Sequence, residues 1–353
     1  MDAGAFAGSA AECAARCRAE AAEAEAIVFD VLHSADGAHL ISGASTGRVA
    51  VVDVGTMLRS KGGGATTRWF RAHESCIYKL LLVPDGSVLV TGSATEIRLW
   101  RWADVLARLS SGEAPAHFLQ LDPGCETNGL AYDAQGGSLL AATGDGLCHV
   151  YDAARGQETA ALSGHANYLH SVAVLPESRR VATASEDGTV RLWDMRSGYA
   201  AAGVLEPFSD PGSAGRERTA ARRTVSTEWV SCLACDPTEN WLVCGGSAHY
   251  LNIFHIASLK SMKKMPTASQ TQAVSFVEGM IVSVGAEQGV YHHSIGGALV
   301  ARVPSSCPSN YGMSFCAKPR LLVTCGASTS ADVFTDFTAP PTFAQPLRCT
   351  ELG

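Results

Sequence analysis

Residues 164 to 196, GHANYLHSVAVLPESRRVATASEDGTVRLWDMR, constrain the fold more than any other stretch of the chain. Gly164-His165 opens the segment. An apolar run from Tyr168 to Leu175 follows, then Pro176, a second run from Val181 to Ser185 and a third from Thr189 to Trp193. Runs this short, rich in β-branched residues and bounded by turn formers, are the pattern of strands. Asp187-Gly188 lies between the second and third runs, and such a pair favours a tight hairpin because both residues tolerate positive φ. The segment therefore predicts three antiparallel strands in fixed register.

Its polar residues need partners, because a buried His, Thr, Asp or Trp left unpaired is costly. The spacing lets His165, Thr183, Asp187 and Trp193 form one chain, indole N–H to hydroxyl to imidazole to carboxylate. Each such buried bond contributes roughly 1 kcal/mol, whereas an orphaned partner costs about 1 to 3 kcal/mol. A His accompanied by an Asp and a Thr in this setting is a structural tetrad and not a hydrolase triad. With Gly-His at one end and Trp193-Asp194 at the other, the unit resembles the WD-repeat family, which implies four-stranded blades of a β-propeller.

The composition is consistent with an all-β chain of many short strands: 353 residues, 46 % hydrophobic and 17 % charged, with 35 Gly and 14 Pro for tight turns. A net charge of −7 without a long run of one sign does not favour wrapping a nucleic-acid backbone. No stretch approaches the roughly 20 apolar residues of a membrane span. Asp2, Glu12, Glu20, Glu23 and Glu25, with no apolar core between them, argue against a secretory or transit leader, so a cytosolic or nuclear protein is expected. In that compartment the twelve Cys are expected as free thiols. Cys232 and Cys235 would point to opposite faces of a strand. Neither that pair nor His292-His293 reads as a metal site, and no cofactor site is expected.

Taken in order, residues 1–26 read as a helical or flexible segment, Ala- and Glu-rich over 11 to 26. Residues 27–353 read as seven repeating units of about 47 residues each. The first unit runs Val28 to Ser34, Leu40 to Ser45, Val49 to Val54 and Thr67 to Phe70, with Ser42 in a tetrad position but Val52 where the Trp would stand. In the second, His73, Thr91 and Trp100 give a partial tetrad, while the turn is one residue shorter and carries no Asp. A helix-like insertion, Ala103 to Leu109, precedes its outer strand, His117 to Leu121. The third unit replaces the Trp with Tyr151 and has Asp145-Gly146 in its turn. Val204 to Phe208 reads as the outer strand of the fourth unit, and Thr342 to Leu347 as a possible last strand. Seven closed blades leave only short, protected edges. The sequence leaves open whether the ring is sealed by a C-terminal strand or by one upstream of Ile27.

Between the fourth and fifth units, residues 209–227 are dominated by Pro, Gly, Ser and Arg, a basic loop insertion with little to bury. Arg216, Arg218, Arg222 and Arg223 are open to three readings: contact with RNA phosphates, a basic address, or simple solvation.

The strong fourth repeat, the basic insertion, and then WVSCLACD, NWLVCGGSAHYLNIFHI, VSFVEGMIVSVGAE and SADVFTDF resemble the WD-repeat subunit of the THO transcription and export complex. That resemblance spans about Ile27 to Phe337 and is most specific over residues 164 to 196 and 241 to 295. It implies a non-enzymatic nuclear scaffold that supports mRNA packaging and export by binding other THO subunits, helical or coiled-coil ones, with at most weak or indirect RNA contact. Residues 181 to 196 also resemble the WDxR box of substrate receptors for cullin-4 RING ubiquitin ligases, in which Asp194 and Arg196 would touch the ligase adaptor. A propeller enzyme has no motif in its favour: no nucleophile elbow, paired carboxylates or metal cluster marks the strand ends.

Overall fold

The computed structural model describes residues 26–60, 65–208, 228–337 and 341–347. Its strands form seven four-stranded antiparallel sheets, each a simple meander in which sequence neighbours pair. The blades cover residues 28–71, 77–121, 127–162, 169–205, 230–266, 271–304 and 310–346. Each is laid down from the inside out, so we label its strands a to d. The a strands touch one another in turn around the axis, and strand a of blade 1 (Val28–His33) meets strand a of blade 7 (Asn310–Ala317), closing the ring.

The sequence builds this shape through strands b and c, whose runs are apolar on both faces. In blade 1, Leu40 and Val52 face blade 7, whereas Ile41, Val49 and Val51 face blade 2. One apolar cluster occupies each of the seven gaps between blades, so the core is a set of wedges rather than a single ball. Polar ties reinforce the wedges. The Arg179 guanidinium of blade 4 grips Asp133 of blade 3 through two bonds of 2.7 and 2.9 Å. The buried Asp30 carboxylate of blade 1 accepts from the Leu80 amide of blade 2 at 2.9 Å.

Blade 7 takes its d strand, Phe343–Pro346, from the C-terminal end of the chain, and that strand pairs with Ser330–Phe334. The two termini therefore do not share a blade among the described residues. The expected N-terminal segment, up to residue 25, and the insertion 209–227 lie outside them.

Several expectations for individual strands are corrected. The d strand of blade 4 is Ala200–Leu205, not 204 to 208, because a 3-10 turn over Met195–Ser197, ending in Gly198 at φ +65°, returns the chain early. The d strand of blade 2 shortens to Leu119–Leu121. Blades 3 and 5 carry d strands, Gln157–Leu162 and Lys260–Pro266, that the hydrophobic pattern does not announce. Their residues are mostly exposed, and an outermost strand needs only one apolar anchor, Leu162 or Met265. Two short helices fill the c–d connections of blades 1 and 2, α1 (Val54–Ser60) and α2 (Trp102–Ser111). The second matches the helix-like insertion read over 103 to 109. The first buries Val54 and Met57 against the gap between blades 7 and 1.

Candidate functional site

The meander gives the ring two faces. One carries the b–c hairpins and the d–a loops; the other carries the a–b turns and the c–d connections with both helices. The buried polar chains lie behind the first face. In blade 4, His165 enters just before strand a (Leu169–Leu175) and Thr183 stands on strand b (Arg180–Ser185). Trp193 stands on strand c (Val190–Asp194) opposite Val181. The Trp193 indole donates to Thr183 Oγ1 at 2.9 Å, Thr183 Oγ1 lies 2.8 Å from His165 Nε2, and His165 Nδ1 lies 2.9 Å from Asp187 Oδ2. Asp187 also accepts from the Ala166 amide at 3.0 Å and the Thr189 hydroxyl at 2.7 Å. Burial alone would raise the Asp187 carboxyl, but the bonds from His165 and Thr189 outweigh it and hold the group well below the usual carboxylate range.

Blade 2 completes the same chain by a route that sequence reasoning missed. His73 Nε2 lies 2.6 Å from Thr91 Oγ1, which accepts from the Trp100 indole at 3.0 Å. The carboxylate comes from Glu96, 2.9 Å from His73 Nδ1. Glu96 directly precedes strand c (Ile97–Arg101), so it sits where blade 4 has Thr189. Its extra methylene reaches back across the shortened turn. The signal was present as an acid one residue out of place.

The remaining blades move or drop the chain. In blade 3 the histidine sits on strand c: His149 bonds Asp145 at 3.1 Å and Glu158 at 2.8 Å, and Tyr151 fills the Trp position opposite Leu139. In blade 7 the acid is on strand c, where Asp332 accepts from Ser305 Oγ at 2.7 Å, from the Ser306 amide at 2.6 Å and from the Ser306 hydroxyl. In blade 6, His293 pairs with Ile281 and so takes the Trp position. The two adjacent histidines face opposite sides of the strand, His292 stacking on Phe337 and His293 on Tyr291, and their donors diverge. Blade 1 has Val52 opposite Leu40 in the Trp position.

Cys232 and Cys235 likewise face different gaps, toward blade 6 and blade 4, and burial pushes both thiols up to about 12. Such thiols are protonated and unreactive at neutral pH. Among the described residues no group of three His, Cys, Asp or Glu side chains is placed to hold a metal ion. A cleft of about 290 Å³ on the second face, between blade 1 and α2, is lined among others by His39, Asp53, Arg68, Leu106 and Leu109.

Asp194 and Arg196 lie at the end of strand c of blade 4, on the second face. The guanidinium forms a two-pronged pair with the carboxylate, Nε to Oδ1 at 3.0 Å and Nη2 to Oδ2 at 2.7 Å, and the Arg196 amide donates to Oδ1 at 2.9 Å. These bonds from Arg196 lower the Asp194 carboxyl to about 2. The Arg196 side chain remains 63 % exposed. Arg216, Arg218, Arg222 and Arg223 fall in the insertion outside the described residues.

A closed ring of seven meander blades, two of them holding an indole–hydroxyl–imidazole–carboxylate chain, is a WD-repeat β-propeller. The "WD domain, G-beta repeat" family model matches it over residues 64–101, 156–194 and 221–255. Within that class the chain resembles subunit six of the THO complex. It is 29 % identical over 320 residues to "THO complex subunit 6 homolog" of Rattus norvegicus, covering 88 % of this chain and 89 % of the relative. The human "THO complex subunit 6" is 28 % identical over the same shares. The Arabidopsis thaliana protein of that name is 28 % identical over 266 residues, 70 % of this chain and 68 % of its own.

Proposed function

We propose that the chain is a non-enzymatic scaffold subunit of a nuclear THO complex, supporting mRNA packaging and export through protein–protein contacts. The observation that carries this reading is the extent of the similarity. It extends over 88 % of the chain, at 28 to 29 % identity overall, to THO complex subunit 6, far more than the three repeats that the family model matches. A similarity driven by the repeat alone would fall mainly on blades 2, 4 and 5. A rigid ring with two faces of turns offers several partners separate surfaces without any reactive group. The partners are other THO subunits, helical or coiled-coil in character. The domain organisation that goes with this reading is a helical or flexible segment over residues 1–26 and a seven-bladed propeller over 27–353 with a basic loop insertion at 209–227.

Affinity purification from nuclear extract, with and without nuclease, tests the reading. Nuclease-resistant recovery of the other THO subunits is the expected result; a cullin-4 ligase adaptor as the main partner would replace it with the substrate-receptor reading, which rests on Asp194 and Arg196. In the same experiment, exchanging Arg216, Arg218, Arg222 and Arg223 for Ser addresses RNA. Loss of weak RNA retention with a flatter salt dependence assigns those arginines to phosphates, and unchanged retention leaves them solvated.

A further inference from the structure

The three most exposed large apolar side chains among the described residues stand on the outer edges of two adjacent blades. Met262, 55 % exposed, is on strand d of blade 5, and Leu299 and Val300, 53 % and 57 % exposed, open strand d of blade 6 (Leu299–Pro304). The two edges adjoin toward the second face: a side chain begun at Gly297, in the c–d turn of blade 6, would meet the Lys263 stem at 2.6 Å. Met262 and Val300 hold equivalent positions. Each is the unpaired residue of a bulge between strands c and d, a place that blades 3 and 4 give to Thr159 and Ala202.

Charge at this edge is one-sided as well. No Asp or Glu occurs from residue 240 to residue 277 of a chain whose net charge is −7, whereas Lys260, Lys263 and Lys264 all stand on strand d of blade 5. The carboxylates that flank blade 6 are already paired, Glu278 with Arg320 of blade 7 and Glu287 with Arg302. Lys264 lies over the Tyr250 ring and donates to its hydroxyl at 3.1 Å. Lys260 and Lys263 form no ion pair among the described residues. Lysines on an outermost strand discourage edge-to-edge pairing. That role accounts for the cations but not for the large apolar side chains beside them, and an exposed apolar patch rimmed by polar groups marks an interaction site.

We propose that the outer edge of blades 5 and 6 docks an acidic amphipathic helix of a partner protein. Its apolar stripe would cover Met262, Leu299 and Val300, and its flanking carboxylates would face Lys260 and Lys263. The local charge selects an acidic partner, and the apolar trio selects a protein over a nucleic acid. Phosphates gain nothing from aliphatic side chains, and neither d strand carries an aromatic ring on which a base could stack. The patch crosses from one blade to the next. A strand added to the edge of one blade would leave the other half open, whereas a helix can lay side chains at i, i+3, i+4 and i+7 across both. The unbranched Met262 thioether adapts its shape to such a stripe. The two lysines, at the solvated rim of the contact, set orientation and speed of encounter more than affinity. This surface is defined by its own residues and stands apart from the THO reading.

The test titrates the full-length protein with three helical model peptides: a Leu stripe flanked by Glu, the same stripe flanked by Lys, and the Glu form with Ser replacing the stripe. The Leu–Glu peptide is expected to bind at least about tenfold more tightly than either of the others. Met262→Thr with Val300→Ala, which copies the residues of blades 3 and 4, should weaken that binding by at least about tenfold. Lys260→Glu with Lys263→Glu should turn the preference toward the Lys-flanked peptide. All four positions are exposed, so both variants are expected to melt as the unaltered protein does. No binding, equal binding of the three peptides, or binding that neither variant alters overturns the proposal. So does a single-stranded oligouridine bound in place of the peptides and released by the lysine variant, which would make the patch a phosphate contact. A dimer in sedimentation that Met262→Thr with Val300→Ala dissolves would overturn it too, by giving the edge to a second copy of the chain. Should either variant fail to fold, the order of the three peptides on the unaltered protein decides alone.

Discussion

In blade 4 the strands are locked to each other by a buried polar chain that runs from Trp193 through Thr183 and His165 to Asp187. At the seam between blades 7 and 1 the Trp position of blade 1 holds Val52, and the contacts run between blades instead. Leu40 and Val52 pack on Leu321, Val323, Ala331 and Val333. His33 of blade 1 bonds Ser314 of blade 7 through both its amide, at 3.1 Å, and Nδ1, at 2.9 Å. Both blades pack on their neighbours, but only blade 4 adds a polar chain of its own. A repeat can therefore lose its signature where the ring must close, provided apolar area and a few polar ties across the gap take over.

The comparison breaks most visibly on deletion. His165→Ala or Trp193→Ala is expected to destabilise the protein by about 2 to 4 kcal/mol, through lost packing and an orphaned buried polar chain. Val52→Ala, at the equivalent seam position, removes two methyl groups and leaves no polar chain to orphan, so it should cost less. Chemical denaturation of the three variants checks this, and equal losses would refute the division between the two regions.

Acid should open the seam before the tetrad. Burial lowers the His33 imidazole from 6.5 to about 4. The folded protein thus prefers it neutral, and stability falls as pH drops from about 6.5 toward 4. At roughly 1.4 kcal/mol per pH unit the loss is on the order of 3 kcal/mol. Asp187 has the opposite sign: its depressed carboxyl contributes stability that is present above the unfolded value near 4 and is lost only at lower pH. His33→Gln should therefore flatten the decline between pH 6.5 and 4.5, measured as denaturation midpoints. It will not abolish it, because burial also lowers His73, His170, His292 and His293.

Glu96 sharpens the comparison inside the tetrad class. Glu96→Asp removes the methylene that spans the short turn, so the carboxylate no longer reaches His73 Nδ1, and the cost should be about 1 to 2 kcal/mol. Glu96→Gln retains an acceptor at the same reach and should cost less. A larger loss for Gln than for Asp in thermal melts would mean that charge, including the 3.0 Å pair with Arg98, matters more than reach.

What the sequence made legible follows the same boundary. Strands b and c are apolar on both faces, so their runs stand out everywhere, and the blade count follows from them. The d strands of blades 3 and 5 were hidden because nearly all their residues meet solvent. Within the polar chains, spacing identified His165, Thr183, Asp187 and Trp193, whose bonds depend on residues at fixed offsets. Glu96, His149 and Asp332 escaped because each lies on or beside strand c rather than at the usual offset, and only the strand register shows that they can reach. The ring contacts of Phe29 with Tyr78 and Tyr311 were invisible for another reason: the three residues are far apart in sequence and meet only where blades 7, 1 and 2 adjoin.

The smallest effect is expected at Arg196. Its guanidinium and its amide both bond Asp194, within a turn that also caps the Met195–Ser197 segment, yet the side chain stays largely in water. Exposed pairs of this kind contribute little to stability, because water already solvates both partners. Arg196→Ala should leave the melting temperature within about a degree. Asp194 still accepts the Arg196 backbone amide in that variant, so the turn itself survives. The consequence for function is separate. If the protein acts as a THO scaffold, co-purification of the other THO subunits should be unchanged, since the similarity that supports that role extends over 88 % of the chain and does not rest on this turn. A folded Arg196→Ala protein that keeps its THO partners but loses a ligase adaptor would assign the second face of blade 4 to that adaptor. Loss of the THO partners themselves would instead place their docking surface at Asp194 and Arg196.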